Sequence, residues 1–301
     1  MSRARVLVVG GAVMDFVFKL DEMPREPKKY HSSDAEIIGG GCAANAAVAI
    51  ARLGGQAMLA SALGSDLIAQ MIVSDLSAEQ VDTSLIHRTA ERHSSFSSVF
   101  IDRNGDRQIV GYRDRNLHFD RERFARDAPS EIDAVLADTR WPEATEAAML
   151  IARERGVPGV IDGEAPLSHV AQGLKLASHV AFSVQGLNDL TGEADMLDGL
   201  AKASAMLPGW VCVTDGGNGV YHLQGGEVMH VPAFRIKAVD TLGAGDVWHG
   251  AFALRLAEGA SEGDAIGFAN AVAALKCTRF GGRKGTPGRA EAEALQAGSA
   301  G

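Results

Sequence analysis

Short runs of apolar and β-branched residues recur along the chain at 6–9, 57–61, 134–137, 159–161, 179–182 and 210–214. Between them lie longer Ala- and Leu-rich stretches with apolar positions at helical spacing, among them 43–53, 65–78, 143–155, 185–190 and 262–276. Runs of three to five mostly apolar residues suit strands buried on both faces, and the intervening periodicity suits helices. The alternation predicts an α/β fold: a mostly parallel central sheet covered by helices on both faces, in one domain spanning residues 1–301.

Two segments break this rhythm, about 13–38 and 94–116. The second carries Asn104-Gly105 between alternating strands, a two-residue hairpin signal. They predict a small β-sheet lid on the α/β unit. No internal repeat or low-complexity linker interrupts the chain, and only 296–301 reads as a disordered tail. Ser2-Arg3-Ala4-Arg5 before Val6-Leu7-Val8-Val9 has the look of a signal peptide, but Gly10, Gly11 and Asp15 end the apolar run too early, so a buried first strand is expected. No apolar run approaches the ~20 residues needed to span a bilayer. A cytoplasmic protein without a membrane partner is the expectation.

Composition narrows the classes further. With 301 residues, 46% hydrophobic and 22% charged, the chain can bury a large core. Its net charge of −9, without a long Lys/Arg block, argues against a nucleic-acid partner. Cys42, Cys212 and Cys277 are odd in number and far apart, as in a protein with reduced thiols. The nine histidines are scattered and no His-Glu-x-x-His or Cys-x-x-Cys occurs, which argues against a zinc site.

The candidate chemistry is concentrated in Asp240-Thr241-Leu242-Gly243-Ala244-Gly245-Asp246. This stretch joins a strand-like run, 234–239, to a helix-like run, 247–257. Gly243 and Gly245 allow backbone N–H groups to approach an anion, and the positive end of the following helix points at the same place. Asp246, in the first turn, can accept a proton from an attacking hydroxyl. A plain strand-to-helix turn with an N-terminal Asp is the alternative. A second cluster, Gly39-Gly40-Gly41-Cys42-Ala43-Ala44-Asn45, either lets the backbone and Asn45 meet vicinal hydroxyls or caps a tightly packed helix. Asp15, just past the first strand, either accepts sugar hydroxyls or caps a turn. Neither a P-loop nor a Gly-x-Gly-x-x-Gly fingerprint after an early strand is present.

These residues carry a resemblance. The chain is similar over essentially its whole length to the ribokinase-like carbohydrate kinases of the phosphofructokinase B family, whose two signature regions match 39–45 and 240–246. The resemblance implies a three-layer sandwich with a β-sheet lid and ATP-dependent phosphorylation of a sugar. Asp246 would be the catalytic base, and Gly243, Ala244 and Gly245 the anion hole. Asp15, Gly40, Gly41 and Asn45 would contact the sugar. Thr214, Gly216 and Gly219 would hold the nucleotide phosphates, and Asn270 would lie near the adenine. It also implies Mg2+, a homodimer clasped through the lid, and a K+ site formed by Asp240 and carbonyls near Lys276, Arg279 and Gly281, although Gly285 offers no side-chain oxygen there. One departure is the family's Asn-x-x-Glu, replaced by Ser183-Val184-Gln185-Gly186. Magnesium would then rest on ATP oxygens and waters, with Asp162 or Glu164 nearby.

Within the family, Lys29-Tyr30, Ala137-Asp138-Thr139-Arg140-Trp141, Ala181-Phe182-Ser183, the 274–279 string and Gly281-Gly282-Arg283 resemble the bacterial sulfofructose kinases. That resemblance implies an anionic sugar whose sulfonate meets Lys29 and Arg140, with Gly111 at the position of an expected Asn. The expected reaction is phosphorylation of the 1-hydroxyl of 6-deoxy-6-sulfofructose. Fructose 6-phosphate, another sugar and a nucleoside remain alternative substrates. A non-catalytic sugar- or nucleotide-binding regulator is the alternative of another class, and the intact Asp246 argues against it.

Overall fold

A computed structural model describes residues 3–104 and 106–298. In chain order the elements are β1 (Arg5–Val9), β2 (Val13–Lys19), β3 (Asp34–Gly40), α1 (Cys42–Arg52), β4 (Gln56–Leu63), α2 (Leu67–Ala78), β5 (Ile86–Arg88), β6 (Phe96–Ile101) and β7 (Arg107–Tyr112). Then come α3 (Arg121–Asp127), β8 (Ala134–Ala137), α4 (Pro142–Arg155), β9 (Gly159–Gly163), α5 (Ala171–Leu176), β10 (His179–Ser183), α6 (Val184–Thr191), α7 (Met196–Met206) and β11 (Trp210–Thr214). β12 (Val220–Gln224), β13 (Glu227–Val231), α8 (Ala244–Ala257), α9 (Glu262–Cys277) and α10 (Arg289–Ala297) complete the fold.

The main sheet has the order β13-β12-β11-β10-β9-β8-β1-β4-β5. It is parallel from β5 through β11, and β12 and β13 add an antiparallel ribbon at one edge. Its central strands are buried on both faces, which is why they read as continuous apolar runs. One face packs on α1, α8 and α9, the other on α4 to α7. The alanines of α1 permit close helix contact: a Cβ on Gly250 of α8 would lie 2.5 Å from the Ala46 carbonyl.

The two expected lid segments meet in one four-stranded sheet, β3-β2-β6-β7. Gly105 lies outside the described residues. β7 is exposed along its whole length, so its residues give no core signal.

Two expectations are corrected. Residues 234–239 form no strand, because no ladder partner reaches them; the Val239 and Asp240 amides instead both donate to the Cys277 carbonyl, at 2.8 and 3.1 Å. Gln296 and Ala297, expected in a disordered tail, belong to the last turn of α10, whose inner face buries Ala292. Residues 299–301 lie outside the described residues. No helix among the described residues is long and apolar enough to cross a membrane.

Candidate active site

The start of α8 separates two cavities. The first, about 430 Å³, lies between the lid and the ends of the main-sheet strands and is lined by Asp15, Gly41, Asn45, Arg140, Gly243 and Asp246, among others. The second, about 380 Å³, lies on the other side of the turn, where Thr241, Ala244 and Gly245 face Thr214, Gly216, Gly219 and Asn270. The heptad that stood out in the sequence is therefore the wall between two binding spaces.

Gly243 is the hinge of that wall, in the left-handed conformation (φ 74°). A Cβ there would also crowd the Asn45 amide, at 3.2 Å. The Ala244 amide turns back to the Thr241 carbonyl at 3.2 Å, while the following first-turn amides have no carbonyl one turn earlier to bond. Asp246 takes its place in this first turn, and Asn45 Nδ2 donates to its Oδ2 at 2.7 Å, fixing the carboxylate toward the first cavity.

Glycines of the other cluster make room for side chains. Gly40 does not line the cavity itself; a Cβ on it would come within 2.1 Å of Asp15 Oδ2. Asp15 accepts the Ser97 hydroxyl, and burial raises its pKa above the ordinary value, with the Ser97 bond and Arg283 opposing. Gly41 adopts φ 94° and passes over the Gly11 carbonyl, 2.5 Å from where its Cβ would sit.

Several working residues were given no role of their own from the sequence. Asp138, buried at the end of β8, accepts the amides of Gly11 (2.8 Å), Ala43 (3.2 Å) and Arg140 (2.9 Å) and so binds three loops of the cavity together. His249, one turn beyond Gly245, faces the Gly245 carbonyl with Nδ1 at 2.8 Å and the Ala181 carbonyl with Nε2 at 3.1 Å. Its Nε2 also lies 3.6 Å from Asp162 Oδ1. Burial pushes the Asp162 carboxyl up to about 7; His249 pulls it down, while Asp246 and Asp138 push it further up. Arg113 lines the first cavity, donates to the Arg140 carbonyl at 2.8 Å and lies over the Trp141 ring. A tertiary contact was the only signal that could have singled it out.

Lys29 is exposed on the connection between β2 and β3 and is not among the residues lining the cavity. Arg113 lines the cavity beside Arg140 instead, as does Arg283, which is paired with Asp75. Arg140 reaches toward Cys42 Sγ at 4.0 Å. Neither Arg113 nor Arg140 has a carboxylate within ion-pair distance among the described residues. Gly111 lines the cavity with open space beyond its Cα.

In the second cavity Asn270 spends its amide on the protein. Trp248 Nε1 donates to its Oδ1 at 2.8 Å, and its Nδ2 donates to the carbonyls of Val231 and Pro232. It therefore shapes the apolar wall formed by Val220, Phe234, Ile236, Ala273 and Ala274. Gly219 has φ 105°, and a Cβ there would lie 2.3 Å from the Val231 carbonyl.

The missing Glu of Asn-x-x-Glu has a steric cause. Gly186, at that position, is pressed against β9, and a Cβ would lie 1.8 Å from the Gly163 carbonyl. Oxygen donors stand elsewhere: ligand atoms of Asp162, Asp246 and Cys42 lie within 4.8 Å of one another. The two carboxylates suit the hard Mg2+ ion. Cys42 does not, since burial and then Asp246 and Asp162 hold its thiol well above its usual pKa. Glu164 is half-buried beside Asp162, its carbonyl accepting the Thr139 hydroxyl at 3.1 Å.

Asp240 lies just before the turn. Its Oδ1 accepts the Leu242 amide at 2.8 Å and its Oδ2 the amides of Gly281 and Gly282 at 3.1 and 2.8 Å. Burial opposes ionisation, yet these amides and Lys276 hold its carboxyl below the usual value.

Comparison with known proteins agrees with this architecture. The family model described as pfkB family carbohydrate kinase matches residues 3–289. The chain is 30% identical to the ribokinase of Bacillus subtilis, over 96% of this chain and 98% of that one. It is 26% identical to the deoxyribokinase of Salmonella typhi, over 82% and 84%. The solved structure of an Agrobacterium tumefaciens protein assigned as a candidate ribokinase superimposes with a TM-score of 0.92 at 36% identity, covering 99% of each chain.

Proposed function

The chain belongs to the pfkB family of carbohydrate kinases, with a ribokinase-like fold, and from that premise we propose that it transfers the γ-phosphoryl group of ATP to the 1-hydroxyl of an anionic ketose, 6-deoxy-6-sulfofructose. The observation that carries the anionic class is the pair of guanidinium groups, Arg113 and Arg140, lining the substrate cavity without carboxylate partners. A sulfonate would supply one negative charge to these two solvent-exposed guanidinium groups, which have no ion-pair partner among the described residues. Asp15 and Asn45 suit the sugar hydroxyls on the opposite wall.

In this reading Asp246, oriented by Asn45, removes the proton from the attacking hydroxyl as the phosphoryl group arrives through the α8 wall. The amides of the 243–245 turn and the N-terminus of α8 stabilise charge on the equatorial oxygens. Thr214, Gly216 and Gly219 border the nucleotide groove, and the apolar wall held by Asn270 suits the base. A magnesium ion bound by ATP, with Asp162 as its protein oxygen donor, would neutralise phosphate charge. The exposed lid residues Ile37, Ile109 and Val110 suit a homodimer, which sedentation of the purified chain at two concentrations would test by its mass.

The relatives named ribokinase and deoxyribokinase favour a second reading, a neutral pentose as acceptor. An ADP-release assay over sulfofructose, ribose, 2-deoxyribose, fructose 6-phosphate and inosine separates the two. Highest kcat/KM on sulfofructose supports the anionic class; highest kcat/KM on ribose or deoxyribose moves the assignment to a pentose kinase.

A further inference from the structure

We propose that Lys276 is a built-in replacement for the monovalent cation expected at Asp240, so that this enzyme works without K+ or Na+. Lys276 stands in the last turn of α9 and is fully buried, with 0% of its side chain exposed. Its Nζ donates to the Asp240 main-chain carbonyl at 2.7 Å and lies 3.5 Å from Asp240 Oδ2. Three backbone amides take three of the roughly four acceptor sites of that carboxylate. Two carbonyls near which the ion was expected are also occupied: Lys276 accepts the Arg279 amide and Gly281 the Lys284 amide, each at 3.1 Å. A K+ ion, which is bound through several oxygens, would have to compete with these amides and with the Lys276 ammonium already seated against Asp240.

The ammonium carries the same single charge and brings three N–H donors fixed to the chain. Burying it is unfavourable in isolation, and burial lowers its pKa while Asp240 opposes that shift. What the pair gains is position. Asp240 ties the 240–242 loop to Gly281 and Gly282. Leu242, Gly282 and Arg283 line the sugar cavity, and Thr241, Ala274 and Cys277 line the nucleotide cavity. Lys276 thus acts as a positioning residue under the walls of both spaces, the place where an exchangeable ion would otherwise make catalysis salt-specific.

The inference rests on the kinase reading, so its test uses readouts that need no sugar substrate. Melting temperature and calorimetric ADP affinity in magnesium buffer are compared in KCl, NaCl and tetramethylammonium chloride at equal ionic strength. The wild-type protein should show the same melting temperature and ADP affinities within about twofold, near the limit of such measurements. A saturable gain with K+ or Na+ in either readout overturns the proposal. Lys276→Ala should bind ADP about tenfold or more weakly, since removing one partner of a buried pair is costly. K+ or ethylammonium should restore part of that affinity, and tetramethylammonium should not. Unchanged affinity, or a loss that neither cation repairs, also overturns it. If Lys276→Ala does not fold, the wild-type ion exchange decides alone. If wild type binds no ADP, the kinase reading fails separately, and the melting temperatures still test the cation.

Discussion

At the residue scale, the same residue type does different work according to what surrounds it. Asp246 is held by Asn45 and faces the first cavity, whereas Asp138 is spent on three backbone amides. Asp246→Asn is expected to keep its affinity for ADP and to lose at least about a hundredfold in kcat, the scale of a positioned base. Near-wild-type turnover would show that the proton leaves by another route. Arg113 has the opposite signature, a charge without a carboxylate partner among the described residues. Arg113→Ala should raise KM for sulfofructose by about 2 kcal/mol, the worth of a charge-assisted bond, while leaving KM for ribose within a few-fold. Equal effects on both sugars would make Arg113 a wall residue rather than an anion contact.

Among the elements, the glycine positions show how closely the chain is fitted. Gly186 opens α6 against the Gly163 carbonyl, with no space for even a methyl group. Gly217 sits in the turn after β11 with nothing within 4 Å of its would-be Cβ. Gly186→Ala is therefore expected to lower stability by about 1 to 3 kcal/mol, as overpacking does, and Gly217→Ala to change it by no more than about 0.5 kcal/mol. Urea melts of the two variants check the contrast; a reversed order would mean that α6 shifts freely away from β9. The sheet elements also explain what was readable. Buried parallel strands β1, β8, β10 and β11 announce themselves as apolar runs. The edge ribbon β12–β13 and the short helices α3 and α5 are half-solvated and lack that contrast. The 234–239 run has strand composition, yet no neighbour offers it a ladder.

For the whole molecule, Asp15 and Asp246 line the first cavity and the buried Asp162 lies beside Asp246, and stability should depend on pH through Asp162. Its carboxyl is raised from 3.8 to about 7, so between those values the folded state holds the extra proton. The contribution of this group to stability then falls as pH rises through that window. The stability of Asp162→Asn relative to wild type should increase from pH 4 to pH 7 by up to about 4 kcal/mol and level off above. Parallel pH profiles for the two proteins would contradict this. The sequence by itself determined the α/β class, the lid segments and the residues of the two glycine signatures, because hydrophobic period, glycine and an adjacent carboxylate are local properties of the chain. The tertiary structure alone decided that the 240–246 turn divides two cavities, that Arg113 lines the cavity beside Arg140 while Lys29 stays in solvent, and that Lys276 faces Asp240. Each of these depends on distances between residues far apart in the chain, fixed by how the lid and α9 pack on the main sheet, and no local pattern encodes such a distance.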